Sequence, residues 1–203
     1  MLQISTVKSS TLELLTNLQK MEMLKSTRLV GGTALALLLG HRISIDLDLF
    51  GKIEGGNEMI TDCLIEEGFE VVNETNSKNI HVFKINGVKT DIVNYKYAWI
   101  DNLIEENGIR LAGLRDIAAM KIAAITNRGS KKDFIDIYFL LNSFSLKEII
   151  DLYLKKYPDA SLFLVYKSLV YFADADMEIM PKMLIPTKWE EVKEKIIAEV
   201  KRL

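Results

Sequence analysis

The chain has 203 residues, 49% hydrophobic and 27% charged, and its 26 basic and 28 acidic side chains leave a net charge of −2. That balance excludes a protein that coats nucleic acid or anionic membranes through bulk charge, and the length suits one large domain or two small ones sharing a core. A single cysteine, Cys63, and only two histidines, His41 and His81, exclude a disulfide framework and cysteine- or histidine-rich metal sites.

Thr11 to Met23 sets Leu14, Leu15, Leu18 and Met21 at helical spacing, which predicts an amphipathic helix. Met1 to Lys20 lacks the apolar core and cleavage site of a signal peptide. No run approaches the roughly 20 apolar residues of a membrane span, so a soluble, cytoplasmic protein with no membrane association is expected. Arg28-Leu29-Val30 reads as a short strand running into Gly31-Gly32. Thr33 to Leu39 is rich in the strong helix formers Ala and Leu, with Gly40 as a natural stop. Ile43 to Phe50 alternates: Ile43, Ile45, Leu47 and Leu49 share one face, and Ser44, Asp46 and Asp48 the other, as in a half-buried strand. Asn57 is placed to cap a helix from Glu58 to Glu67. Phe69–Asn73, Asn79–Ile85 and Val88–Tyr95 read as strands, the last two joined by the hairpin signal Asn86-Gly87.

Beyond Trp99 the stretches Leu114–Asn127, Lys131–Asn142, Leu146–Tyr157, Ser161–Phe172 and Trp189–Arg202 suit helices, with Pro181 and Pro186 bracketing a loop. The expected fold class is therefore α+β. A small mixed sheet of four or five strands with flanking helices spans about residues 1–97, and an all-helical region spans 98–203. The active site is expected in the cleft between them.

Asp46 and Asp48 are the centre of the chemistry. Residues i and i+2 on a strand share a face about 7 Å apart, and two such carboxylates repel unless a cation or basic group lies between them. Mg²⁺ favours such hard oxygen ligands; the plainer alternative is an acidic solvent face on an edge strand. Gly31-Gly32-Thr33 between a strand and a helix can aim backbone N–H groups at a phosphate, and the Thr33 hydroxyl can donate as well. It can equally be a tight turn that needs glycine for its backbone angles. Asp91, in Val88-Lys89-Thr90-Asp91-Ile92-Val93, could add a third carboxylate for two divalent ions, or simply pair with Lys89 or Lys96.

The run LVGGTALALLLGHRISIDLDLF resembles the AbiEii/AbiGii nucleotidyltransferase toxin family, within the polymerase-beta-like nucleotidyltransferase superfamily. The matching pattern is a Gly-Gly turn, a short helix and Asp-x-Asp, with the lead-in Arg42, Ser44 and Asp46. A second block, LRDIAAMKIAAITNRGSKKDFIDIYFLL, resembles the same family's helical signature, and the two blocks cover about a quarter of the chain. The resemblance implies a polymerase-beta-like core and a nucleotidyltransferase whose catalytic residues are Asp46, Asp48, Lys121 and Asp136, to which the strand reading adds Asp91. Nucleotide-binding positions are Gly31, Gly32, Thr33, Arg42, Ser44, Arg128, Lys132 and Asp133. It implies Mg²⁺, with Mn²⁺ as the other candidate, held by Asp46, Asp48 and Asp91, and a nucleoside triphosphate as substrate. It also implies an acceptor that is RNA, such as transfer RNA, or protein, and a toxin role with a cognate antitoxin as partner.

The second block has physical sense of its own. Lys121 lies among alanines that would cover its stem, so its ammonium can point into a cleft and neutralise phosphate charge. Lys132 and Asp136, four apart on a helix, are expected to be neighbours on one face, as a phosphate-facing pair or a surface ion pair. Cys63 reads as a small packed side chain, His81 as structural and His41 as close enough to the acids to touch substrate. Phe163, Tyr166 and Tyr171 read as core. Two other function classes fit the same residues: a regulatory module that binds a nucleotide without transferring it, and a helical half that docks a partner.

Overall fold

The computed structural model describes residues 1–203, the side chain of Asn76 excepted. The chain lays down α1 (Ser9–Lys20), β1 (Arg28–Leu29), α2 (Gly31–Leu39), β2 (Leu47–Gly51) and α3 (Asn57–Glu66). The strands β3 (Val71–Asn76), β4 (Ile80–Ile85) and β5 (Val88–Asn94) follow, then a short hairpin of β6 (Ile104–Glu106) and β7 (Ile109–Leu111). The remaining elements are helices: α4 (Leu114–Asn127), α5 (Lys131–Leu140), α6 (Leu146–Lys156), α7 (Leu162–Leu169), the short α8 (Ala173–Asp176) and α9 (Trp189–Val200). The strands form one mixed sheet in the order β3-β4-β5-β2-β1-β7-β6.

The α+β architecture is as expected, but the sheet is larger and does not end at residue 97. β7 pairs in parallel with β1 through Leu29 and Leu111, so the second half of the chain is helical only from Leu114. The missed hairpin turns at Asn107-Gly108, with φ of 55° and 73°. Its signal is the one that marks the turn at Asn86-Gly87, where φ is 47° and 80°; both residues of each pair occupy the left-handed region that Asn and Gly tolerate best.

A second difference lies beside the acids. The expected strand from Ile43 to Phe50 begins only at Leu47. Residues 43 and 44 spend their backbone donors elsewhere: Ile43 N–H on the Lys182 carbonyl at 2.8 Å and Ser44 N–H on the Thr6 carbonyl at 2.9 Å. Arg42 forms an isolated bridge with Met183. The alternation fails with it, since Ser44 is buried and Ile45 exposed. Asp46 thus sits just before the strand and Asp48 on it. The helix after Gly56 starts at Asn57 itself, without a side-chain cap.

A single core joins the layers. Leu15 and Leu18 of α1, Leu35 and Leu37 of α2, Leu47 and Leu49 of β2, Ile117 and Ile122 of α4 and Phe134 of α5 are fully buried. Each such side chain contributes about 1.5–3 kcal/mol. Below this core, α4 is tied to the sheet's end by Asp116, whose carboxylate accepts from the Ile100 and Asp101 amides at 3.0 and 2.9 Å and from Lys156 Nζ at 2.6 Å. That anchor ties the start of the helix carrying Lys121 to the loop that follows β5 and to α6. Among the described residues, no helix is long and apolar enough to cross a membrane.

Candidate active site

The site starts from strand register. β1 runs antiparallel to β2, with Leu29 opposite Leu49, and β2 runs parallel to β5, with Asp48 directly opposite Asp91. Side chains on neighbouring strands at equivalent positions share a face, so two carboxylates stand side by side. Burial, and then the charge of Asp91, push the Asp48 carboxyl up to about 6. Asp91 is raised as well, mainly by burial, and its Oδ1 is buried with no hydrogen-bond partner. Its nearest cation is Lys89 Nζ, at 3.9 Å.

The glycine turn exists to let these groups come close. Gly31 has φ of 68°, and a Cβ there would lie 2.1 Å from Asp48 Oδ2; a Cβ on Gly32 would lie 2.4 Å from Arg42 Nη2. Both glycines belong to the first turn of α2, one residue pair earlier than expected, and that N-terminus has no side-chain cap. Its first N–H groups are therefore left for a ligand or water. Gly40, at φ of 72°, closes the helix as expected. The Thr33 hydroxyl is not free to meet a phosphate. It donates to the Asp46 carbonyl and lies 2.9 Å from the Ser44 hydroxyl, so it fixes the chain that carries Asp46.

The opposite wall is a buried charge network on α4 and α5. Asp136, fully buried, accepts from Arg42 Nε and Nη2 at 2.8 and 2.9 Å, lies 2.8 Å from His41 Nε2 and takes Lys121 Nζ at 2.5 Å. Asp133 accepts from Lys121 at 3.0 Å, from Arg128 Nε and Nη2 at 2.9 and 3.1 Å and from the Ser130 hydroxyl at 2.6 Å. Burial alone would raise both carboxyls, but the Lys121 ammonium, with Arg42 at one and Arg128 at the other, holds them well below the usual carboxylate range. Burial likewise opposes the charge on Lys121, and the two aspartates override it and raise the lysine.

Gly32, Thr33, Arg42, Ser44, Asp46, Asp48, Asp91, Lys121, Arg128 and Lys132 border one cleft. Gly31, Asp133 and Asp136 do not border it and act from behind. Three expectations change. Lys121 reaches the cleft with its ammonium already clasped between two aspartates. Lys132 and Asp136 are not partners: Asp136 turns into the core, while Lys132 stays half-exposed 3.9 Å from Asp46. His41 is wholly buried on Asp136 and against Phe139, so it supports the wall rather than facing the cleft. Lys89 also borders the cleft; the sequence offered it only as a partner for Asp91, two residues on along one strand, and the two stand 3.9 Å apart.

Every cation here has a carboxylate partner: Arg42 with Asp136, Lys121 with both wall aspartates, Arg128 with Asp133, Lys132 with Asp46 and Lys89 with Asp91. Among the described residues, no three acidic, histidine or cysteine side chains are gathered tightly enough to enclose a metal ion. What the site does offer is an adjacent pair of carboxylates with one orphaned oxygen, which suits a hard cation that completes its shell from water and phosphate.

Residues 13–202 match the sequence profile described as "Nucleotidyl transferase AbiEii toxin, Type IV TA system". The chain belongs to the AbiEii nucleotidyltransferase toxin family. Like the family it is a nucleotidyltransferase. An uncharacterized protein of Aquifex aeolicus (strain VF5) is 39% identical over 178 residues, 85% of either chain. Two solved structures share this chain's fold at low identity. JHP933 from Helicobacter pylori superposes with a TM-score of 0.61 at 15% identity, over 97% of this chain and 92% of that one. The nucleotidyltransferase toxin MenT4 from Mycobacterium tuberculosis H37Rv gives 0.62 at 17% identity, over 94% and 81%.

Proposed function

We propose that this AbiEii family member transfers a nucleoside monophosphate from a nucleoside triphosphate to an acceptor hydroxyl, in the cytoplasm, as a toxin restrained by a cognate antitoxin. The acceptor is an RNA, transfer RNA among them, or a protein. The observation that carries the reading is Asp48 beside Asp91 in the β2–β5 ladder, next to the uncapped N-terminus of α2.

Charge balance supports a divalent ion. With every basic side chain of the cleft already facing a carboxylate, a polyphosphate entering alone would bring more negative charge than the half-exposed Arg128 and Lys132 offset. Asp48 and Asp91, with Asp46 nearby, would hold Mg²⁺, or Mn²⁺ in its place. The bound ion supplies positive charge to the polyphosphate and polarises its oxygens.

The protein's own groups do the rest. The N–H groups around Gly32 and Thr33 bind phosphate oxygens at the helix end, and Arg128 and Lys132 at the mouth add charge. Arg42, Ser44, Asp133 and Asp136 hold this frame, and Lys121 stands against Asp48 as a fixed counter-charge. The acceptor oxygen bonds to the α-phosphorus while the bond to the α,β-bridging oxygen breaks, and pyrophosphate leaves with the electron pair. The acceptor proton goes to Asp91 where that residue is not a ligand.

The test is incubation of the purified chain with each α-labelled triphosphate, Mg²⁺ and total cellular RNA or protein. Label on one macromolecular fraction, lost in Asp48→Ala, is expected. Binding of a triphosphate with no label transfer to either fraction would favour the regulatory module instead.

A further inference from the structure

Far from the charge network, α7 breaks the usual rule for a helix on a protein surface. A helix apolar on nearly all sides belongs in an interior, yet α7 buries only Val165 and Leu169, on α4 and α9. Phe163 is 77% exposed, Tyr171 just beyond the helix 54% and Val170 45%, and Leu162, Leu164 and Tyr166 are exposed as well. Phe163, Tyr166 and Tyr171 are residues whose sequence reads as core. Isolated exposed apolar side chains need no explanation, but a contiguous set this large marks a contact surface.

The same helix forms one bank of a groove of about 530 Å³. Leu146, Ile150 and Leu154 of α6, Leu162 and Tyr166 of α7 and the terminal Leu203 give it an apolar lining. Its rim charges cancel locally, Lys147 on Asp151 at 2.7 Å and Arg202 on Glu199 at 2.6 Å. A set of exposed apolar residues on α7 thus adjoins an apolar groove that the same helix borders. Two copies related by a two-fold axis can satisfy both at once, each exposed set lying in the other's groove.

We propose that α7 and the α6–α7–α9 groove form a two-fold interface between two copies of this chain. Area supports a second copy as occupant. The two exposed aromatics offer on the order of 250 Å². The exposed Leu162, Leu164, Tyr166, Val170 and Leu203 bring the patch towards the roughly 800 Å² that each partner of a stable interface buries. Charge agrees: with Lys147 on Asp151 and Arg202 on Glu199 paired along the rim, two copies of this face meet with little like-charge repulsion. A strongly charged partner would find no matching field there.

Sedimentation equilibrium of the full chain tests this, free of any assumption about catalysis. The expected result is a species of twice the 23.1 kDa chain mass. Phe163→Asp and Val170→Lys, both at exposed positions, should return it to one chain mass with the thermal unfolding of the one-chain species unchanged in cooperativity. Ile65→Asp, equally exposed on α3, should leave the mass doubled. A single-chain mass for the wild type at all concentrations would overturn the proposal, as would a dimer that survives both α7 substitutions or one that Ile65→Asp also dissociates.

Discussion

Replacing Asp48 by Asn should make the metal-free protein more stable while ending its activity. Asp48 is enclosed beside Asp91, and its carboxyl is pushed from 3.8 up to about 6. A folded pKa above the unfolded one means the folded state binds the extra proton between those values, so stability falls as pH rises from about 4 to about 6. At about 1.4 kcal/mol per pH unit the penalty above pH 6 is at most about 3 kcal/mol. The side chain still borders the cleft, so about 2 kcal/mol is the expected gain on removing its charge. Urea unfolding in chelator at pH 7.5 should show that gain for Asp48→Asn, and the difference should shrink towards zero at pH 4. A variant equally or less stable at pH 7.5 would refute the claim that Asp48 is held charged against a cost, as would a gain that persists unchanged at pH 4.

Gly31→Ala should cost about 1–2 kcal/mol from its left-handed backbone alone, and more from the Cβ that would lie 2.1 Å from Asp48 Oδ2; urea midpoints together with transfer rates check it. Asp136→Asn leaves Arg42 and Lys121 facing a neutral amide in a buried site, and a loss of about 3–5 kcal/mol is expected in the same assay. Asp133 and Asp136 have depressed folded pKa values. The stability they contribute is fully present above the unfolded carboxylate value of about 3.9 and is lost as pH falls through the folded values. Unfolding midpoints followed from pH 6 to pH 2 should therefore drop steeply below about pH 4, and less steeply in Asp133→Asn. Mg²⁺ with a triphosphate should raise the melting temperature of the wild type by mass action and leave Asp48→Ala unmoved; calorimetry with and without chelator reads both.

Much of this site was legible because its residues lie on regular elements with fixed periods. Asp48 and Asp91 stand on segments whose strand character is plain, and Lys121 on a helix rich in alanine. Legibility ended where long-range contacts override local pattern. Residues 43 and 44 alternate like a strand, but their amides bond to Lys182 and Thr6 instead of a neighbour in the sheet. Lys132 and Asp136 are four apart, yet α5 is buried so deeply that the aspartate turns inward to Arg42, a residue 94 positions away. The β6–β7 hairpin was readable from Asn107-Gly108, although its three-residue strands carry little periodicity. Phe163 and Tyr171 look like core by composition, and nothing in one chain's sequence says that its cover lies outside the fold.

Transfer from triphosphates labelled separately at the α- and γ-phosphorus tests the account most directly. If Asp46, Asp48 and Asp91 serve nucleotidyl transfer, α-label will appear on the acceptor in a Mg²⁺-dependent reaction and γ-label will leave as pyrophosphate, with both signals absent in Asp48→Ala. Retention of the γ-label on the acceptor, or α-label transfer that survives loss of Asp48, would contradict it.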